Sequence, residues 1–146
     1  MDKNTLLQVW PIPAFDDNYL WCIHDGVSAL LVDPGEAAPC LRYLEQEKLA
    51  LTGILVTHHH ADHTGGILEL LNTLGSTIPV YGPLNNDIPG RTQALVEGDK
   101  VDITEPQISL KVLEVPGHTL GHIAYFANMQ PNVMEPMLFC GDTLFA

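Results

Sequence analysis

Basic residues are scarce in this chain. Six lysines and arginines stand against eighteen acids, a formal net charge of −12, and the six (Lys3, Arg42, Lys48, Arg91, Lys100 and Lys111) never cluster. Nucleic-acid binding depends on neutralising phosphates with Lys and Arg, so the charge argues against nucleic acid and for a small-molecule partner. Cysteine is scarce as well. Cys22, Cys40 and Cys140 are too few and too scattered for a disulfide framework or a Cys-x-x-Cys zinc site, and a reducing, cytoplasmic setting is expected. No apolar run approaches a bilayer span, and the start MDKNTLLQVW lacks the basic-then-apolar layout of a secretion signal. No membrane attachment is expected. With 46% hydrophobic and 16% charged residues the chain is neither disordered nor fibrous, and 146 residues suit one domain.

The apolar segments are short and punctuated by turns. Residues 19–23 and 28–35 flank His24-Asp25-Gly26 and read as a hairpin. A helix is predicted from Pro39 to Lys48, with Pro39 in its first turn. GILVT (53–57) reads as a buried strand, and Thr64 to Leu74 carries Ile67, Leu68, Leu70, Leu71 and Leu74 at helical spacing before Gly75. Further strands are predicted at 77–82, 108–116, 122–127 and 136–142. The pattern is a mixed α/β domain without internal repeats.

Histidine is the informative excess. Four of seven histidines fall between positions 58 and 63, and two more at 118 and 122. The run Thr57-His58-His59-His60-Ala61-Asp62-His63-Thr64-Gly65-Gly66 lies between a predicted strand and a predicted helix. In extended chain, side chains two apart point the same way, so His58 and His60 can grip one ion while His59 faces elsewhere. Asp62 and His63 sit where the chain turns and can serve a neighbouring position. Imidazole with carboxylate is the ligand set of catalytic zinc, and it also suits manganese or iron. Two such ions about 3.5–4 Å apart share the work of activating water and polarising a carbonyl. Pro116-Gly117-His118 and Gly141-Asp142-Thr143 each add a ligand-type residue in a glycine turn. The remaining residues of interest have plainer readings: His24 belongs to a turn, His122 opens a strand with a structural hydrogen bond, and Cys140 is a small core residue.

Taken together, the acidic strand end Leu31-Val32-Asp33-Pro34-Gly35, the H-x-H-x-D-H loop, His118 and Asp142 resemble the metallo-β-lactamase superfamily. Phe15-Asp16-Asp17-Asn18-Tyr19-Leu20-Trp21, THHHADHTGG, PGHTLGHIAYF and GDTLF resemble, within it, the glyoxalase II family of hydroxyacylglutathione hydrolases. The resemblance implies an αββα sandwich and two divalent metals, zinc first among the candidates. His58, His60, His118 and Asp142 would hold the first, and Asp62, His63 and the bridging Asp142 the second. Asp33 would orient the metal loop from behind. Asp62 and Asp142 would act in catalysis through the water that the metals activate. The implied reaction is hydrolysis of S-D-lactoylglutathione to glutathione and D-lactate, the second step of methylglyoxal detoxification, by a monomer when full length. Two alternatives stand beside it: a one-iron persulfide dioxygenase of the same superfamily, using His58, His118 and Asp142, and an inactive metal-binding fragment. The family carries a further histidine ligand and its glutathione-binding residues beyond the point matching Ala146. Residues 1–146 are therefore expected to be the N-terminal part of a catalytic domain, without its helical C-terminal domain and weakly active alone.

Overall fold

The computed structural model describes residues 6–14, 18–115, 121–141 and 144–145. The chain folds in the order β1 (Gln8–Ala14), β2 (Asn18–His24), β3 (Ser28–Val32), α1 (Ala37–Glu47), β4 (Ala50–Leu55), α2 (Ala61–Thr64) and α3 (Ile67–Leu74). It continues through β5 (Val80–Pro83), β6 (Gln93–Leu95), β7 (Lys100–Thr104), β8 (Gln107–Glu114), β9 (Ile123–Ala127), β10 (Met137–Phe139) and β11 (Leu144–Phe145). Strands β1 to β6 form one sheet in chain order, antiparallel from β1 to β3 and parallel from β3 to β6. The second sheet runs β11-β10-β9-β8-β7 and is antiparallel throughout.

The alternation of side chains along a strand divides the core in two. On β3, Ala29 and Leu31 face the helices, where they pack with Cys40 and Leu44 of α1 and Ile67 and Leu70 of α3. Leu30 and Val32 face the other way, onto Ile108, Leu110, Val112, Tyr125 and Phe139 of the second sheet. A strand covered on both faces reads as continuous apolar sequence, and all five residues of β3 are buried. Among the described residues, the layers are thus helices, six-stranded sheet and five-stranded sheet. No helix among them is long and apolar enough to cross a membrane.

The hairpin predicted around His24-Asp25-Gly26 is β2–β3, and the Pro39 helix begins two residues earlier, at Ala37. Three differences have physical reasons. Strand β1 contains Pro11 and Pro13, which obscure it in the sequence; it lies at a sheet edge, where missing N–H groups cost no ladder bond. Strand β7 hides because it exposes most of its residues and buries Val101. The helix predicted over 64–74 is divided at Gly65-Gly66 into α2 and α3.

That division fixes the histidine loop to the sheet. The Gly66 N–H donates to the Pro34 carbonyl at 2.9 Å. A Cβ added to Gly66 would lie 2.6 Å from the Ala37 nitrogen and 2.7 Å from the Pro34 oxygen, both backbone atoms. Gly66→Ala is therefore expected to destabilise the fold by about 2–3 kcal/mol, the usual cost of overpacking. A urea denaturation midpoint equal to that of the unaltered chain would contradict this.

Candidate metal centre

The centre is built on the ends of the two central parallel strands. Just past β3, Asp33 takes a left-handed conformation at φ 53°, and its N–H donates to the Leu55 carbonyl at 2.9 Å. Aspartate is one of the few residues that tolerate this region. The turn aims its carboxylate at Thr57, two residues past β4. Asp33 Oδ1 accepts the Thr57 N–H at 2.8 Å, and Oδ2 accepts the Thr57 hydroxyl at 2.7 Å. The same Oδ2 lies 3.2 Å from His63 Nδ1.

These contacts set the His58 tautomer. The Thr57 hydroxyl has one proton, and it points to Asp33. Its oxygen therefore accepts from His58 Nδ1, 2.8 Å away. His58 is thereby left with its lone pair on Nε2. A ligand histidine whose second nitrogen donates to a fixed acceptor is the usual arrangement around metals.

The His58 ring is the hub of the cluster. His60 meets it edge-on at 4.8 Å between centroids, His63 lies at 4.1 Å, and His122 stacks on it at 4.4 Å and 21°. Burial and the neighbouring His63 push the His58 pKa down to about 4. The imidazole is thus neutral at physiological pH, as a ligand must be. Ligand-type atoms of Asp33, His58 and His63, all buried, lie within 4.8 Å of one another. This donor set, imidazoles beside a carboxylate, fits a divalent ion of the zinc type.

The structure brings together His58, His60, His63 and Asp33, although His60 is exposed where His58 and His63 are buried. Asp62 lies in the α2 turn, and its side chain is outside the described residues. His118 and Asp142 are outside them too, as are Phe15, Asp16 and Asp17. Their chain neighbours do reach the cluster: His122 stacks on His58, and a Cβ built on Gly141 would lie 3.9 Å from Cε1 of both His58 and His63.

Some contributors were not apparent in the sequence. Thr57 reads there as the end of a strand, yet it relays Asp33 to His58. Tyr125 on β9 is fully buried and donates its hydroxyl to the Val56 carbonyl at 2.7 Å, bracing the residue two before His58. His122, read as a strand opener, lies against His58; its four-residue spacing from His118 was the available signal. His59 is exposed and bonded to Asn86. His24 is buried in its turn against the Tyr43 hydroxyl, and Cys140 is half-buried rather than fully in the core.

Residues 18–146 match the family described as the metallo-beta-lactamase superfamily. A hydroxyacylglutathione hydrolase of Cupriavidus taiwanensis is 56% identical over 146 residues, covering 97% of this chain and 54% of that protein. The chain thus spans about half the length of the curated relatives it matches. A metallo-beta-lactamase from Staphylococcus aureus subsp. aureus COL superposes with a TM-score of 0.71 at 25% identity, over 92% of this chain and 41% of that one. TTHA1623, solved in a di-iron-bound form, gives a TM-score of 0.62 at 26% identity, over 80% and 65%.

The buried carboxylate is open to a direct test. Asp33→Ala leaves the Thr57 N–H and hydroxyl without their acceptor and puts a less tolerant residue at φ 53°. The expected loss is about 3 kcal/mol, from one or two orphaned buried donors. Urea denaturation should show Asp33→Asn, which keeps an acceptor oxygen, falling between the two.

Proposed function

The chain belongs to the metallo-beta-lactamase superfamily, and from that premise we propose that it is the metal-binding part of a hydrolase of glutathione thioesters. The proposed substrate is S-D-lactoylglutathione, and the products are glutathione and D-lactate. One observation carries most of this reading. The Asp33–Thr57–His58 relay leaves a buried, neutral imidazole with its lone pair on Nε2, its ring packed against those of His60 and His63 and near Gly141. The curated relatives named hydroxyacylglutathione hydrolase support the thioester.

In this proposal His58, His60, His118 and Asp142 hold one divalent ion. Asp62 and His63 hold a second, with Asp142 shared between them. Zinc suits the donor set best, with iron or manganese as the alternatives. Bound there, such ions supply Lewis acidity toward a carbonyl and lower the pKa of water. The protein's own groups do the positioning. Asp33 holds Thr57 by two hydrogen bonds and lies 3.2 Å from His63 Nδ1, and Thr57 holds the His58 ring in one tautomer. Tyr125 ties the loop's strand to the second sheet, so that the ligands are ordered before an ion arrives. The thiolate of glutathione is a good leaving group, and no serine or cysteine nucleophile is required. Cys22 and Cys40 are buried, with thiols pushed up to about 12 by that burial, which makes them unsuited to attack.

Residues 1–146 are proposed as the N-terminal part of the catalytic domain. Groups that grip glutathione, in a helical domain, are assigned to the half of the relatives that this chain does not cover. Three scattered cysteines suit a reducing, cytoplasmic setting.

Metal content tests the ligand assignment. His58→Ala or His118→Ala should weaken zinc binding by tenfold or more, on the order of a lost ligand or its support. His59→Ala should leave it nearly unchanged, since the His59 ring is turned to Asn86. Equal loss in all three variants would defeat the assignment. Zinc-dependent release of thiol from S-D-lactoylglutathione should exceed that of zinc in buffer and disappear in His58→Ala; release that survives His58→Ala would overturn the hydrolase reading. One iron per chain with oxygen uptake on a glutathione persulfide would point to the dioxygenase instead.

A further inference from the structure

The loop between β5 and β6 has no part in the ligand set, yet it touches two of the segments that form it. Arg91 closes this loop on itself, donating from Nη1 to the carbonyls of Pro83 and Asn86, both at 2.7 Å. So braced, the buried Asn86 side chain faces the histidine loop. Its Oδ1 accepts the His59 backbone N–H at 3.1 Å and lies 2.9 Å from His59 Nδ1. A backbone N–H can only donate, so the amide atom facing it is the oxygen. That oxygen can only accept, so His59 Nδ1 carries the proton. His59 is thereby held in one tautomer and one orientation, between His58 and His60.

The other side of the amide meets the second segment. Gly121 has φ +85°, and a Cβ there would lie 2.7 Å from Asn86 Nδ2 and 3.0 Å from Asn85 Cβ. The absence of a side chain at Gly121 allows this approach. The next residue, His122, stacks on His58, and Ile123 N–H donates to the Thr57 carbonyl at 2.9 Å. Asn86 therefore lies between the loop that presents His58 and His60 and the chain that enters β9.

We propose that Asn86 is a positioning residue of the metal centre, locking His59 and so the spacing of the His58–His60 pair, while keying that loop to Gly121 and His122. The inference rests on the reading that His58 and His60 bind metal. It explains why the middle histidine of the triplet, which meets His60 edge-on at 5.1 Å between centroids, is also tied to Asn86. Its backbone bond survives in His59→Ala, so that variant loses only half of the anchor.

Two measurements test it. In the ¹⁵N-labelled chain without metal at mildly alkaline pH, long-range ¹H–¹⁵N correlations should show His59 as the Nδ1–H tautomer, and Asn86→Ala should lose that preference. Competition titration with Zn²⁺ against a chelating dye should then find Asn86→Ala about tenfold or more weaker than the unaltered chain. Asn86→Asp keeps an acceptor oxygen and should stay within about threefold, rescuing both readouts. An unaltered chain whose His59 is the Nε2–H tautomer overturns the proposal without any variant, and so does an Asn86→Asp chain that binds Zn²⁺ about tenfold or more weakly than the unaltered chain. Should Asn86→Ala fail to fold, these two measurements still decide. If the unaltered chain binds no Zn²⁺, the ligand assignment falls, whereas the tautomer and its dependence on Asn86 continue to judge the anchor alone.

Discussion

The arrangement depends on one buried carboxylate. Asp33 sits where the first central strand ends, accepting from the Thr57 N–H and the Thr57 hydroxyl, with His63 Nδ1 3.2 Å away. Hydrogen bonds to a charged group contribute about 1.5–3 kcal/mol each, against a total stability of roughly 5–15 kcal/mol for an ordinary domain. Their directional effect is larger than their energy. Two parallel strands can slide or splay at their ends without great loss, because the last ladder bonds are the weakest held. A carboxylate that bridges the end of β3 to the residue after β4 removes that freedom where the histidines begin.

Sandwich packing adds a second restraint at the same place. Most contact between the sheets is apolar and therefore non-directional. Two hydrogen bonds cross between them near the loop: Ile123 N–H to the Thr57 carbonyl, and the Tyr125 hydroxyl to the Val56 carbonyl. Both originate on β9 and both end within two residues of His58. The edge of the sandwich is thus stitched by polar contacts, while its interior slides on hydrocarbon. A site assembled from several strand ends needs this, since an error of an ångström between sheets becomes an error of an ångström between ligands.

Much of this was legible in the sequence, and the reason is periodicity. The β2–β3 hairpin, the helix near Pro39 and the strand before Thr57 follow from turn residues and apolar runs, which are local signals. The histidine loop was legible because four histidines within six positions stand out in any chain. What stayed hidden was non-local. Pro11 and Pro13 looked like breakers until β1 proved to be an edge. Gly66 split a continuous helical pattern because the Pro34–Ala37 backbone presses on it from 30 residues away in sequence, a contact no window of residues contains. Thr57, Asn86 and Tyr125 carry no motif; their parts come from partners 24, 27 and 69 positions distant.

Charge links this architecture to the proposed substrate. A glutathione thioester is anionic, and a chain of formal charge −12 repels it at long range. Surface charge is screened beyond about 8 Å at physiological ionic strength, so attraction has to be local. The centre is suited to that. The cluster around His58 consists of imidazoles, and burial together with mutual proximity holds His58 itself neutral. Among the described residues of this cluster one carboxylate, Asp33, accepts from Thr57. Divalent ions would then set the sign of the field at the point where a thioester carbonyl develops negative charge. In the proposed ligand set two divalent ions would meet only two carboxylates, Asp62 and the shared Asp142. The site would therefore keep a net positive charge toward an anionic substrate, and burial of His58 keeps that ligand neutral and its lone pair available.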